Sequence, residues 1–245
     1  MYINTSGLVL RETADRDSSK ILTVLTGGEG KLTVMARGAL RKNSKLTATT
    51  QLLAYSEMTL YCSRDRWTLT EARSVEQFIG LRDDITLLAL GAYFAELTEA
   101  VADEDSPSHE LLPLCLNALF ALSEKLKAPD YVKPAFELRL MAASGFSPLI
   151  GQCCVCGRDD PEYSYLDFSA GTLRCADCGA VASGSGLSRA ALSAARYVIN
   201  CNPKRLFSFT LADAALRELS TAAEGHLLAN LDRRFRTLDY YKGIQ

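Results

Sequence analysis

The sequence predicts an α+β multidomain protein, a small five-stranded barrel followed by an all-α domain with a four-cysteine module inserted in it. Three observations carry this reading. Five short strand-like stretches fall within about the first 75 residues, with no helical pattern long enough for a βαβ unit. After Gly80 the apolar period changes from two to nearly four. Two Cys-x-x-Cys pairs, Cys153 with Cys156 and Cys175 with Cys178, then interrupt the helical region eighteen residues apart.

The first strand is read at Gly7 to Leu10, with the charged stretch Arg11 to Lys20 as its exposed turn. A second strand follows at Ile21 to Leu25 and is closed by the turn Thr26 to Gly30. Lys31 to Ala36 alternates Leu32, Val34 and Ala36 with Lys31, Thr33 and Met35, the pattern of a half-buried strand. Arg37 to Gln51 is basic, rich in Ser and Thr and without periodicity, and reads as a long surface loop. Glu57 to Cys62 and Trp67 to Ala72 are joined by Ser63-Arg64-Asp65-Arg66 as a hairpin. A five-stranded barrel of this size points to an OB-fold; an SH3-like barrel fits the same periodicity.

Leu87, Leu90, Phe94, Leu97 and Val101 form one stripe of a helix starting near Asp83 or Asp84, whose acids suit a positive helix N-terminus. A second helix is read over Ser108 to Lys127 and a third over Asp130 to Ser144, ended by Gly145 and Pro148. Helices resume at Ser188 to Asn200 and at Thr210 to about Leu231, where Thr210 and Asp213 have capping spacing. Asp232 to Gln245 reads as a tail. Asp103-Glu104-Asp105 reads as a solvated helix end.

Two Cys-x-x-Cys pairs at this separation form a tetrathiolate zinc pattern, because each short loop must aim two thiolates at one ion. Gly157 and Gly179 follow the second Cys of each pair, where positive φ lets the backbone fold around a metal. The ligand set is Cys153, Cys156, Cys175 and Cys178, with Cys154 as a spare thiol. Four cysteines close the coordination sphere, so one structural Zn²⁺ is expected, standing in for a core that the Arg158 to Arg174 loop is too short to build. A pair of disulfides or four unrelated core cysteines are the alternatives, disfavoured in a chain that reads as intracellular. Cys62, Cys115 and Cys201 read as buried free thiols.

About half the residues are apolar and no uninterrupted run approaches the roughly 20 residues of a membrane span, so a soluble, cytoplasmic protein with no membrane partner is expected. The net charge of −2 hides a division: residues 1 to 80 hold 11 Lys or Arg against 8 acids, and residues 81 to 150 hold 5 against 11. No acid lies between Glu29 and Glu57, whereas Lys31, Arg37, Arg41, Lys42 and Lys45 all fall there. A local positive field of this kind suits a polyanion.

Enzymatic signatures are missing. Gly27-Gly28-Glu29-Gly30-Lys31 fails as a phosphate loop, since Leu25 stands where the first Gly belongs and Leu32 where Ser or Thr belongs. His109 and His226 are each alone on a predicted helix. OB-type barrels bind single strands by running phosphates along a positive groove and stacking bases on aromatics. Here Lys31, Arg37, Arg41, Lys42, Lys45, Arg64 and Arg66 would supply the groove, and Trp67, Tyr61 or Tyr55 the stacking, with Trp67 the first choice. The chain therefore reads as an OB-fold DNA-binding domain over 1–80, a helical domain over 81–150 and 184–245, and a four-cysteine zinc module over 151–183. A zinc-containing protein-interaction scaffold with no DNA binding of its own is the rival.

The sequence also resembles the bacterial RecO family. The resemblance rests on Gly7-Leu8-Val9-Leu10-Arg11, Lys20 to Thr26 leading into Gly30-Lys31, and Ala36-Arg37-Gly38-Ala39 followed by Asn43-Ser44. It continues through Leu138-Arg139-Leu140-Met141, Gly145-Phe146, Pro148 and the paired cysteines, so it spans nearly the whole chain. It implies an N-terminal OB-fold, a helical C-terminal domain and a structural zinc. It further implies a non-enzymatic, nucleoid-associated mediator of recombinational repair that binds single- and double-stranded DNA and anneals complementary strands. Its implied protein partners are RecR, the tail of the single-stranded-DNA-binding protein and, functionally, RecA, with the basic loop at Arg37, Arg41, Lys42 and Lys45.

Overall fold

The computed structural model describes residues 1–104, 106–107 and 109–244, which form two compact units, Met1–Glu124 with Phe235–Gln245, and Lys125–Arg234. Asp105 of the expected helix end and Ser108 of the expected helix start lie outside the described residues.

Unit 1 opens with a closed barrel of β1 (Tyr2–Asp15), β2 (Ser19–Thr26), β3 (Lys31–Ala36), β4 (Tyr55–Ser63) and β5 (Arg66–Glu76), in the order β1-β2-β3-β5-β4. β1 closes on β4, and β3 runs parallel to β5, with Val34 opposite Trp67. This order and closure make the barrel of OB type. Its interior is packed by Val9, Leu22, Val24, Leu32, Val34, Met58, Leu60 and Leu69, the inward half of each alternating pattern.

One correction follows from the register. β1 does not stop at Leu10. Arg11 to Asp15 continues it, pairing down to Asp15 with Ser19, and only Arg16 to Ser18 turn. The hairpin end leaves both faces of Arg11–Asp15 largely to solvent, so no alternation marks it as strand. The stretch after β3 is a loop, as read, and successive turns run through it, with Arg41 N on the Gly38 carbonyl, Ser44 N on Arg41 and Thr50 N on Leu46.

After a short α1 (Ile79–Arg82), α2 (Ile85–Val101) starts where its acids predicted, with the Asp84 carboxylate accepting from Thr86 N and Leu87 N at 2.8 and 3.3 Å. α3 spans Leu111–Ser123. The supposed tail contains α7 (Arg236–Gly243), which packs on α2: Thr237 N donates to Glu96 at 3.1 Å, and the Phe235 ring meets Tyr93 edge-on at 6.0 Å. Glu99 anchors α2 to the barrel, its carboxylate 2.9 Å from Arg11 and its carbonyl accepting from Lys31 Nζ at 3.1 Å.

Unit 2 holds α4 (Pro129–Ala143), a four-stranded sheet, α5 (Arg189–Asn200) and α6 (Asp213–Leu231). The sheet comprises β6 (Leu149–Cys153), β7 (Tyr163–Asp167), β8 (Thr172–Cys175) and β9 (Gly184–Ser188), ordered β6-β8-β7-β9. The cysteine segment thus builds more than a loop. Leu166, Leu173 and Leu187 bury one face of the sheet, and Gly184 to Gly186 is strand, because its glycines hid the alternation. Ser188 caps α5 through Ala191 N, but α6 begins after Ala212, with no side-chain cap from Thr210 or Asp213. Among the described residues, no helix is long and apolar enough to cross a membrane.

Candidate nucleic-acid interface and metal centre

The β3–β4 loop carries its cations on a backbone that is itself tied down. Ala39 and Ala54 pack into the barrel core and Thr49, Thr50 and Leu53 are buried as well, whereas Arg37, Arg41, Lys42 and Lys45 are all exposed. Leu40 N donates to the Ser18 carbonyl at 2.9 Å and Gly38 N to Ser19 Oγ at 3.2 Å, so the start of the loop is stitched to the β1–β2 turn. Arg16 is exposed on that same turn, which these two hydrogen bonds tie to the loop. Sequence reading missed it because Arg16 lies far from the cation run along the chain and only the hairpin brings it close.

Lys31 is placed elsewhere. Its ammonium serves the Glu99 carbonyl, which holds it at α2 instead of on the loop. Arg64 and Arg66 sit at the tip of the β4–β5 hairpin, where Arg64 and Asp65 take φ of 50° and 58°, a two-residue turn of type I′. Both arginines are exposed. Trp67 is half-buried and packs against the barrel core, because pairing with Cys62 and Val34 turns it inward. The exposed aromatic beside the hairpin is Tyr61, opposite Tyr2.

The four cysteines of the two pairs converge, their Sγ atoms all within 4.8 Å of one another. β6 and β8 deliver Cys153 and Cys175, both buried, and the two short turns beyond deliver Cys156 and Cys178. Gly157 and Gly179 take φ of 75° and 91°, and their N–H groups close the turns onto the carbonyls of Cys153 and Ala176 at 2.9 and 3.0 Å. Cys175 N donates to Cys153 Sγ at 3.3 Å. Backbone N–H groups of Cys156 and Cys175 bring the Cys153 thiol down to about 6, whereas the hydrogen bonds that the Cys178 thiol makes to Cys175 and Cys156 push it up to about 12. Protons are thus shared unequally among four crowded thiols, the situation that a cation relieves. The set is soft, four-fold and closed, and it can hold a metal ion. Cys154 is exposed and outside the cluster. Arg158 pairs with Asp177 across the two turns. Of the other cysteines only Cys115 is fully buried, which pushes its thiol up to about 12; Cys62 and Cys201 are half-buried.

A basic-looped OB-type barrel joined to a second unit with a closed four-thiol centre defines a two-part, modular class of protein. The profile described as "Recombination protein O N terminal" matches residues 1–78 and that described as "Recombination protein O C terminal" residues 82–239. The chain is 31% identical to the DNA repair protein RecO of Acetivibrio thermocellus, over 99% of this chain and 97% of that protein. It is 29% identical to that of Caldicellulosiruptor bescii over 99% of both, and 33% identical to that of Bacillus pumilus over 73% of this chain and 69% of the relative. The chain belongs to the RecO family of DNA repair proteins.

Proposed function

We propose that this chain binds single- and double-stranded DNA through its barrel, residues 1–80, anneals complementary strands and, with RecR, helps load RecA onto DNA coated by single-stranded-DNA-binding protein. The observation that carries it is the pinned loop that presents Arg37, Arg41, Lys42 and Lys45 to solvent, with Arg64 and Arg66 on the neighbouring hairpin. Phosphate contacts of this kind read no sequence and leave bases free to pair, while neutralisation lowers the repulsion between two strands. The role is one of binding, exercised at the nucleoid, and transfers no chemical group. The metal is one Zn²⁺ held by Cys153, Cys156, Cys175 and Cys178, and it supplies cross-linking of the two turns.

The test is fluorescence-monitored annealing of complementary oligonucleotides across salt, comparing wild type with Arg37→Ala, Arg41→Ala, Lys42→Ala and Lys45→Ala combined. The combined variant keeps its fold, loses annealing, and flattens the log–log salt slope of single-strand binding by up to about 3. An unchanged slope would place the DNA on another surface. A wild type that neither binds nor anneals would return the chain to the scaffold reading.

A further inference from the structure

Tyr2 and Tyr61 stand directly opposite each other on β1 and β4, ring centroids 4.8 Å apart and tilted by 42°. Their neighbours Ile3 and Leu60 face the barrel interior, so both rings point outward, and they remain 67% and 37% exposed. The pair is held in place from below. Cys62 N donates to the Met1 carbonyl at 2.9 Å, so β1 is paired to its first residues. On the other side of Tyr61 the opposite residue on β5 is Thr68, too small to cover the ring.

What surrounds the pair gives it a direction. One step toward the hairpin tip, Ser63 faces Arg66 on the same outer surface, and Arg64 occupies the turn beyond. One step the other way, Thr59 faces Glu71. Aromatic rings with cations at one end and a carboxylate at the other match a single strand: bases on the rings, phosphates toward the hairpin. A cross-strand tyrosine pair stabilises a sheet in any case, but that role needs neither open ring faces nor flanking cations.

We infer that Tyr2 and Tyr61 form a stacking platform for unpaired bases, with Arg64 and Arg66 receiving the phosphates as the strand leaves it. This rests on the DNA-binding reading above and adds a contact that reads bases, which the basic loop does not. The strand would meet the barrel at two kinds of site, one sensitive to salt and one sensitive to whether a base is present.

The experiment uses the full chain and two labelled oligonucleotides of equal length, oligo(dT) and its abasic counterpart, titrated with wild type, Tyr2→Ala/Tyr61→Ala, and Tyr2→Phe/Tyr61→Phe. Wild type binds oligo(dT) about tenfold or more tighter than the abasic strand, the scale of one to two stacked bases. The alanine pair removes that difference with abasic binding and salt slope unchanged, and the phenylalanine pair restores it. Equal wild-type affinity for both strands overturns the platform and leaves loop-mediated binding standing. A parallel loss on both strands in the alanine pair also overturns it, marking the tyrosines as sheet supports. Wild type binding neither strand fails the DNA reading itself.

Discussion

The Lys20 ammonium donates to the Thr50 carbonyl 3.3 Å away, so a buried lysine of β2 holds the far end of the basic loop. The same ammonium pairs with Glu12, whose other carboxylate oxygen accepts from Leu52 N at 3.0 Å. The cations at Arg37 to Lys45 therefore hang between two fixed points, the β1–β2 turn at one end and this pair at the other. Lys20→Met removes no exposed charge but orphans the Thr50 carbonyl. We expect a loss of about 1–3 kcal/mol in urea unfolding and faster amide exchange in the loop, with weaker annealing. Annealing at wild-type levels from a loop that exchanges freely would show that its fixation is irrelevant to DNA.

The metal centre makes a sharper demand on which thiols matter. Cys175→Ser removes a buried ligand and Cys156→Ser an exposed one, yet both should lose the metal and lower the melting temperature of unit 2, since a tetrathiolate site is a fold element. Cys154→Ser should retain one zinc per chain. Because protons compete for the thiolates, metal should leave as the pH falls. Metal analysis and thermal melts across pH check all three, and loss of zinc from Cys154→Ser alone would reassign the ligands.

What was legible in the sequence follows from which faces are buried. The barrel strands announced themselves because one face packs and the other meets water, so Leu32, Val34 and Ala36 alternate with polar neighbours. Arg11 to Asp15 did not, since solvent reaches both faces. Trp67 went astray for a related reason: pairing parity decides its face, a one-residue shift reverses it, and only the closed sheet fixes the parity. The convergence of the four cysteines was readable from spacing alone, because a four-thiol cluster of this kind is built by two short local turns. The sheet that carries them was not, as Gly184 and Gly186 in β9 carry no side chain to show a pattern.

Lys133 offers a third test. It is buried between α4 and α6, 2.8 Å from both Glu137 and Glu224, and Glu137 is wholly buried. Burial disfavours the ammonium, but the two carboxylates outweigh it and lift Lys133 above its ordinary 10.5. A raised folded value means that the lysine's contribution is complete below 10.5 and lost only as pH climbs through the lifted value, so this share of unit 2's stability should go only in strong alkali. Lys133→Met strands a buried carboxylate and should cost about 3–5 kcal/mol. Lys133→Met with Glu137→Leu should recover most of that, and failure to recover it would place the cost in packing instead of charge.

The last prediction concerns how α6 holds the sheet that carries Cys175. His226 and Asn230 hold the chain at two points, just before β6 and just after β7: His226 Nε2 lies 2.9 Å from the Phe146 carbonyl, and the Asn230 amide donates to the Phe168 carbonyl at 2.9 Å. Next to His226, Gly225 leaves space that the Phe168 ring fills, so closely that a Cβ there would stand 2.3 Å from Phe168 Cζ. Helix propensity alone would favour alanine over glycine at this mid-helix position by about 0.5–1 kcal/mol. The ring reverses that preference. Gly225→Ala should therefore destabilise unit 2 by about 1–3 kcal/mol, the cost of forcing an overpacked contact. In a Phe168→Ala background the same substitution should stabilise, since the clash is gone and only the helical gain remains. Urea unfolding of the four proteins of this cycle measures the coupling directly. A Gly225→Ala effect of the same sign and size in both backgrounds would mean that the ring does not bear on the helix, and that Gly225 is there for some other reason.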